Sequence, residues 1–201
     1  MDKSLVIDAL KLLAITLVAG LALGFVYNIT KEPIEQQKLL AKQAAYQVVF
    51  EDAASFENVD FTEDEIAQLT ADKGIEGVTV SEIMAAKDSS GADLGFVFDV
   101  TSSKGYGGDV ELAVGIKADG TVNGYDTLSI SETAGLGMNA TKDDFKNEYK
   151  GAQAEQLTVV KDGSGASDPS KIDAISGATI TSRAVTSCVN TCLAYTLEGG
   201  K

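Results

Sequence analysis

An apolar run close to the N-terminus constrains this chain more than any other feature. Residues 12–27 are apolar apart from Thr16 and two glycines, and the apolar character continues to Ile29 with only Asn28 between. With the aliphatic stem of Lys11 reaching toward the interface, about 18 to 20 residues can cross the hydrocarbon layer, close to what a spanning helix needs. No second long apolar run follows. We therefore expect one membrane-anchoring helix, with all later residues on one side of the membrane.

A cleaved signal peptide is the alternative interpretation of this run, because Lys3 and Lys11 precede it. An uncleaved anchor is favoured, since the run is longer than the apolar core of a usual signal peptide and no clear small-x-small cleavage site precedes Lys31-Glu32-Pro33. Lysines also follow the run at positions 31, 38 and 42. The positive-inside rule therefore decides little about the orientation of the helix.

Beyond the anchor, the sequence predicts an α+β fold in which helices flank an antiparallel sheet. Pro33 suits the first turn of a new helix, and residues 34–50 have the Ala, Gln, Lys and Leu content of a helical stalk. We place the membrane anchor at 1–31, the helical stalk and linker at 32–75, and the folded domain at 76–201.

Two predicted β-hairpins form the centre of the domain. Strands are expected at 78–84 and 94–102, and again at 110–116 and 121–130, where Asp119-Gly120 is a strong turn signal. The other expected elements are a helix at 62–69 with Thr62 and Glu65 as a capping box, a helix at 145–150 capped by Thr141, a strand at 157–160 and a helix at 180–197. Strands followed by a final helix are typical of the α+β class.

Composition excludes several classes of function. Thirty acidic and sixteen basic residues give a formal net charge of −14, which argues against nucleic-acid binding. Histidine is absent, and two thiols alone cannot carry an iron–sulfur cluster, so no metal site is expected. No Gly-x-Gly-x-x-Gly opens a helix, as dinucleotide binding would need. We interpret Cys188 and Cys192 as small buried apolar residues of the terminal helix.

The segment Asp173-Ala174-Ile175-Ser176-Gly177-Ala178-Thr179 gives the strongest functional signal. It precedes the terminal helix, so Ser176 and Thr179 are candidate N-caps, and the segment could be no more than a capped loop. A threonine at that end would also hold a phosphate ester beside unpaired N–H groups and the positive end of the helix dipole. The small residues before it leave the backbone open to a modifying enzyme, and Asp173 could position the hydroxyl or a magnesium ion.

Two glycine-rich loops each follow a predicted strand: Gly105-Tyr106-Gly107-Gly108 and Glu132-Thr133-Ala134-Gly135-Leu136-Gly137. Either loop alone could be an ordinary tight turn. Glycine, however, permits positive φ angles and a close approach of the backbone to a planar ligand. Tyr106 and Leu136 could cover the faces of a planar ring, and Thr133 could bind its polar edge. Glu132 could shape the second loop or be a surface carboxylate.

The order of these motifs resembles a known family. Residues 173–179 are similar to the Asp-x-x-Ser/Thr-Gly-Ala-Thr signature of bacterial FMN-binding domains, in which a transferase joins the FMN phosphate to the last threonine. Together with the anchor, the Tyr27–Pro33 exit and both glycine loops, they resemble the G subunits of Rnf electron-transport complexes over nearly the whole chain. The C subunit of sodium-translocating NADH:quinone reductase is similar. Ala134 stands where the family usually has proline, which should loosen that loop slightly.

The resemblance implies an FMN-binding domain with FMN covalently attached to Thr179. The other implied flavin-binding residues are Asp173, Ser176, Gly177, Ala178, Tyr106, Gly107, Glu132, Thr133, Gly135, Leu136 and Gly137. The chain would be an electron-carrying subunit of a translocase, without a catalytic site of its own. The complex would couple electron transfer between ferredoxin and NAD to Na⁺ or H⁺ movement.

The implied partners are other membrane subunits of that complex and a flavin transferase. The N-terminus would be cytoplasmic and the FMN domain extracytoplasmic. Two alternatives stay open on the residues themselves. One is another flavinylated carrier, such as the C subunit of the quinone reductase. The other, from a different class, is a membrane-tethered binding or scaffold domain that holds no flavin.

Overall fold

The N-terminal helix, α1, spans Lys3–Val49 without a break in this computed structural model, which describes residues 3–199. Pro33 lies inside the helix, so the prediction that a new helix begins there is wrong. Proline fixes φ near the helical value. Inside a helix it is destabilising because one backbone hydrogen bond is lost and its ring crowds the preceding turn. The good helix formers that follow it allow the helix to continue.

The chain divides after Ala41 into two compact units. The described part of the first unit is helical, and its large apolar side chains, among them Leu12, Leu21 and Ile29, are exposed. Among residues 3–199, α1 is the one helix that is long and apolar enough to cross a membrane. The sequence prediction of a single candidate spanning helix is confirmed for these residues.

The second unit, which begins at Lys42, contains a five-stranded antiparallel sheet. Its strands are β1 (Ser55–Asn58), β2 (Val78–Lys87), β3 (Asp93–Ser102), β4 (Val110–Lys117) and β5 (Val122–Ile130), in that order across the sheet. Both predicted hairpins are confirmed. The sequence does not predict β1, because its four residues, SFEN, contain one apolar side chain and therefore show no alternation.

Helix α4 (Thr179–Ala194) covers one face of the sheet. Its buried side chains pack against Phe98, Leu112 and Val114 of the central strands. Cys188 and Cys192 lie in this core as free, fully buried thiols, as predicted. The other face is covered by the last turns of α1 and the residue that follows it. Tyr46, Val49 and Phe50 pack there on small and branched side chains of the strands, Ala86, Val97 and Ala113.

The remaining elements are α2 (Glu63–Asp72), α3 (Asp143–Lys146), β6 (Thr158–Val160) and β7 (Lys171–Asp173). Thr62 caps α2 by accepting the Glu65 N–H at 3.3 Å, which confirms Thr62 as the cap of this helix. The prediction that Thr141 caps α3 is wrong, because its hydroxyl donates to the Met138 carbonyl and Lys142 occupies the cap position. The sequence predicts β6, but not its parallel pairing with β7.

A charged cluster joins the last turns of α1 to the sheet. The ammonium of Lys42 lies 2.7 Å from a carboxylate oxygen of both Glu82 and Asp99, which face each other on β2 and β3. Tyr46 also donates to Glu82, at 2.6 Å. Burial lowers the pKa of Lys42, but its hydrogen bonds to the two carboxylates outweigh burial and raise that pKa above the usual value. Lys42 therefore screens two like charges that would otherwise repel each other.

We expect Lys42→Met to lower the free energy of unfolding by about 2 kcal/mol. This is less than the roughly 3–5 kcal/mol of a fully buried broken pair, because Lys42 and Glu82 are partly exposed. Lys38→Met, one turn earlier on the same helix, removes an exposed charge that has no ion pair within residues 3–199, so it should change the free energy of unfolding little. Urea unfolding in detergent, followed by tyrosine fluorescence, measures both. Equal stabilities of the two variants would contradict the role given to Lys42.

Candidate functional site

A cavity of about 750 Å³ lies at the N-terminal end of α4. Its volume falls within the roughly 300–1,000 Å³ of small-molecule and cofactor sites. The residues that line it are Tyr106, Glu132, Thr133, Leu136, Gly137, Lys161, Ala174, Ile175, Ser176, Gly177, Ala178, Thr179, Ile180 and Thr181. The cavity therefore brings both predicted glycine loops together with the segment that ends at Thr179.

Strand pairing explains why the two glycine loops meet. β4 and β5 pair with Val110 opposite Ile130, so the loop that precedes β4 lies beside the loop that follows β5. A side chain at Gly107 would collide with the Ser131 carbonyl oxygen. Gly107 does not line the cavity, and the structure places it in the contact between the two loops. It is required for close packing of the loops, whereas the sequence suggested contact with a ligand.

Glu132 joins the two loops and leaves one oxygen free. Its Oε1 accepts the backbone N–H of Tyr106 at 2.7 Å. Its Oε2 is buried and has no hydrogen-bond partner among the described residues. The alternative that Glu132 is a surface carboxylate is wrong, since only 9% of the residue is exposed. A buried acceptor without a partner is costly, so this oxygen is a site for a donor from an ordered water or a bound molecule.

Gly137 allows this carboxylate to approach α4. A Cβ atom at position 137 would lie 2.7 Å from both Glu132 Oε2 and Thr181 Oγ1. Any larger residue would therefore push apart the second loop and the first turn of the helix. Gly135 has a φ of 76°, which favours glycine for a different reason, and it does not line the cavity.

A side chain of α4 itself orders the chain at the start of this helix. Ala178 occupies the N-cap position, so the predictions that Ser176 or Thr179 caps the helix are wrong, and Thr179 is the first helical residue. The Ser182 hydroxyl accepts the Ile175 N–H and donates to the Ala178 carbonyl, both at 3.0 Å. No side chain of the described residues caps the helix end. The N–H groups there are available to an anion.

Thr179 is half-buried, and its hydroxyl makes no hydrogen bond among the described residues. Gly177, two residues earlier, adopts a φ of 75°, which favours glycine at this turn. A Cβ at this position would also lie 3.1 Å from Leu136 Cδ2, so the second glycine loop packs closely on the turn that precedes Thr179. The threonine hydroxyl is thus held beside the cavity with no competing partner in the part of the chain that the structure describes.

Asp173 lies next to the cavity without lining it. It ends β7, and a Cβ at Gly165 would lie 2.8 Å from its Oδ2, so the 164–167 turn packs on the carboxylate. Its Oδ1 is buried without a hydrogen-bond partner in residues 3–199. Within the same range, no group of three or more His, Cys, Asp or Glu is placed to hold a metal ion.

Five of the cavity residues are absent from the predicted flavin-binding set: Ala174 and Ile175, which lie within the segment 173–179, and Lys161, Ile180 and Thr181, which lie outside it. Lys161 follows β6, and the β6–β7 pairing that places it here has no local sequence signal. Ile180 is 51% exposed and, with Tyr106 at 71% and Leu136 at 43%, gives the cavity three exposed large apolar side chains. Exposed apolar side chains grouped around a cavity are typical of a ligand site.

Two family models match the chain. Residues 105–194 match the FMN-binding domain, and residues 1–49 match the RnfG N-terminal region. The solved structure of the C subunit of Na(+)-translocating NADH-quinone reductase from Parabacteroides distasonis has a TM-score of 0.51 and 21% identity, and covers 80% of this chain and 92% of that one. At that identity the likeness shows the fold alone, and it agrees with the predicted α+β class.

Two relatives align over most of their length. The G subunit of the proton-translocating ferredoxin:NAD(+) oxidoreductase complex of Clostridium ljungdahlii is 34% identical over 100% of this chain and 97% of the relative. The G subunit of the Na(+)-translocating complex of Acetobacterium woodii is 33% identical over 89% of this chain and 85% of the relative. The chain therefore belongs to the family of G subunits of Rnf-type ferredoxin:NAD(+) oxidoreductase complexes.

Proposed function

We propose that this chain is the membrane-anchored electron carrier of an Rnf-type complex, with FMN attached through its phosphate to the hydroxyl of Thr179. The observation that carries the proposal is the environment of the Thr179 hydroxyl. Its hydroxyl makes no hydrogen bond among the described residues, and it stands beside a cavity of about 750 Å³ at the start of a 16-residue helix. The names of the Clostridium and Acetobacterium relatives support an electron-transfer role within a multi-subunit complex.

The residues around the cavity fit FMN. Tyr106, Leu136 and Ile180 offer exposed apolar surface for a planar ring. The free Oε2 of Glu132 needs a donor, which the imide N–H of the ring or a ribityl hydroxyl supplies. The N-terminal N–H groups of α4 suit a phosphate ester. FMN, when bound, supplies redox chemistry, and the protein tethers it, orients it and tunes its potential.

Attachment requires a separate enzyme. A threonine hydroxyl is a poor nucleophile without a base or a metal ion. The chain contains no histidine, and no base is hydrogen-bonded to Thr179 in the described residues. A flavin transferase therefore has to take up the hydroxyl proton. As the bond from Thr179 Oγ to the flavin phosphorus forms, the phosphoanhydride bond of an activated flavin dinucleotide breaks, and the nucleoside monophosphate leaves.

We place the FMN domain on the extracytoplasmic side, with the N-terminus in the cytoplasm and other membrane subunits as partners. A covalent link suits a compartment in which a lost cofactor cannot readily be replaced. One relative is named for protons and the other for sodium ions, although both align over most of their length. The coupling ion therefore differs between relatives of nearly equal identity to this chain.

Thr179→Val should abolish covalent flavinylation. The full chain would be co-expressed with a flavin transferase and examined for flavin fluorescence on a denaturing gel. We expect a fluorescent wild-type band and a dark Thr179→Val band, because valine keeps the shape but lacks the hydroxyl. Thr158→Val, at an exposed position on β6, is the matched control and should stay fluorescent.

Two results would contradict the assignment of Thr179. Fluorescence that persists in Thr179→Val would show that the flavin is attached to another residue. A dark wild-type band, with the transferase shown to be active on another substrate, would leave the anchored binding domain without flavin as the better interpretation.

Glu132→Gln should raise the midpoint potential of the bound flavin. A buried carboxylate close to the bound flavin disfavours the added negative charge of reduction, and the amide removes that charge while keeping the shape. We expect a rise of roughly 30–60 mV, where 59 mV is a tenfold change in a one-electron equilibrium. Redox titration in detergent measures it. Glu63→Gln, on the exposed start of α2, is the control, and equal potentials in both variants would contradict this role of Glu132.

A further inference from the structure

We propose that Lys161 is a phosphate-binding residue whose ammonium group pairs with the negative charge of the phosphodiester between FMN and Thr179. The inference rests on the proposed attachment at Thr179 and adds a residue to it. No sequence motif singles out Lys161, which enters the cavity only through the tertiary structure.

Strand pairing places Lys161 beside the acceptor segment. β6 and β7 run parallel, with Val160 opposite Asp173. The Ala174 N–H continues this pairing by donating to the Val160 carbonyl at 2.8 Å. Lys161 therefore leaves β6 where the segment that ends at Thr179 leaves β7. Both line the same cavity.

The positive charge of Lys161 is not neutralised by neighbouring carboxylates of the described residues. Lys161 makes no ion pair or side-chain hydrogen bond among them. The nearest acidic residue in sequence, Asp162, accepts from the N–H and the hydroxyl of Ser164, at 3.1 and 2.7 Å. Asp168 likewise accepts from Ser170 and pairs with Lys171 at 3.1 Å. In a chain with a formal net charge of −14, a free cation at a cavity points to an anionic ligand.

The positions of the donors and acceptors around the cavity indicate where each end of such a ligand would bind. Within residues 3–199, Glu132 is the one carboxylate that lines it, and its buried Oε2 lacks a donor. An ionised phosphodiester has only acceptors and cannot satisfy Glu132. Its oxygens instead require donors, and the cavity offers them at Lys161 and at the N–H groups that begin α4. The ring and the ribityl chain then supply the donor for Glu132.

Phosphorus NMR of the flavinylated full chain tests this assignment directly. The protein would be purified in a detergent without phosphorus, so that the diester gives the protein-bound signal. Lys161→Met removes the charge while keeping the length, and Lys161→Arg restores a cation. Lys150→Met is the matched control, because Lys150 is exposed and does not line the cavity. In-gel fluorescence and thermal unfolding are also measured for each variant, to report its flavinylation and its stability.

We expect the phosphorus resonance to shift in Lys161→Met, to return toward its wild-type position in Lys161→Arg, and to stay in place in Lys150→Met. Loss of flavinylation in Lys161→Met alone, at unchanged thermal stability, would also support the assignment. A wild-type resonance in Lys161→Met would overturn it while leaving the attachment at Thr179 intact. A wild-type chain with neither a fluorescent band nor a diester signal would instead remove the proposed function, and this inference with it.

Discussion

The packing of α4 on the five-stranded sheet is the interaction on which the rest of the site depends. Val185, Cys188 and Val189 anchor the helix in the main core, so the position of its first turn is fixed by many apolar contacts. The same helix orders its surroundings through polar side chains. Ser182 holds the turn that precedes Thr179. Asn190 pairs with both the N–H and the carbonyl of Leu157, at 2.8 and 2.9 Å. Leu157 directly precedes β6, which carries Lys161 into the cavity.

Glycine serves the site by removing bulk where segments meet. Gly107 lets the first loop touch Ser131, and Gly137 lets Glu132 and the first turn of α4 come together. Gly177 lets Leu136 pack closely on the turn that precedes Thr179. The resulting cavity has close-packed walls made by loops from different parts of the chain. Such preorganisation suits a tethered redox group, because its surroundings need not rearrange when an electron arrives.

The second face of the sheet has a different role. There Tyr46 and Val49 of α1 are buried together with Phe50, which follows the helix, and Lys42 holds Glu82 and Asp99 together. Within the described residues this face carries no cavity residue, so the functional site and the helix contact occupy opposite sides of the sheet. A substitution on the α1 side should therefore change stability with little effect on the cavity, since the two regions share no residues.

The sequence by itself determined the features whose signals are local: the apolar run that could span a membrane, the two hairpins, the terminal helix and the motif that ends at Thr179. Periodicity, turn residues and spacing act over a few residues, so they can be read without the fold. Only the tertiary structure decided the pairing of β6 with β7, the burial of Glu132 and the entry of Lys161 into the cavity. Contacts between separate segments of the chain decided all three, and such contacts leave no pattern in either segment alone.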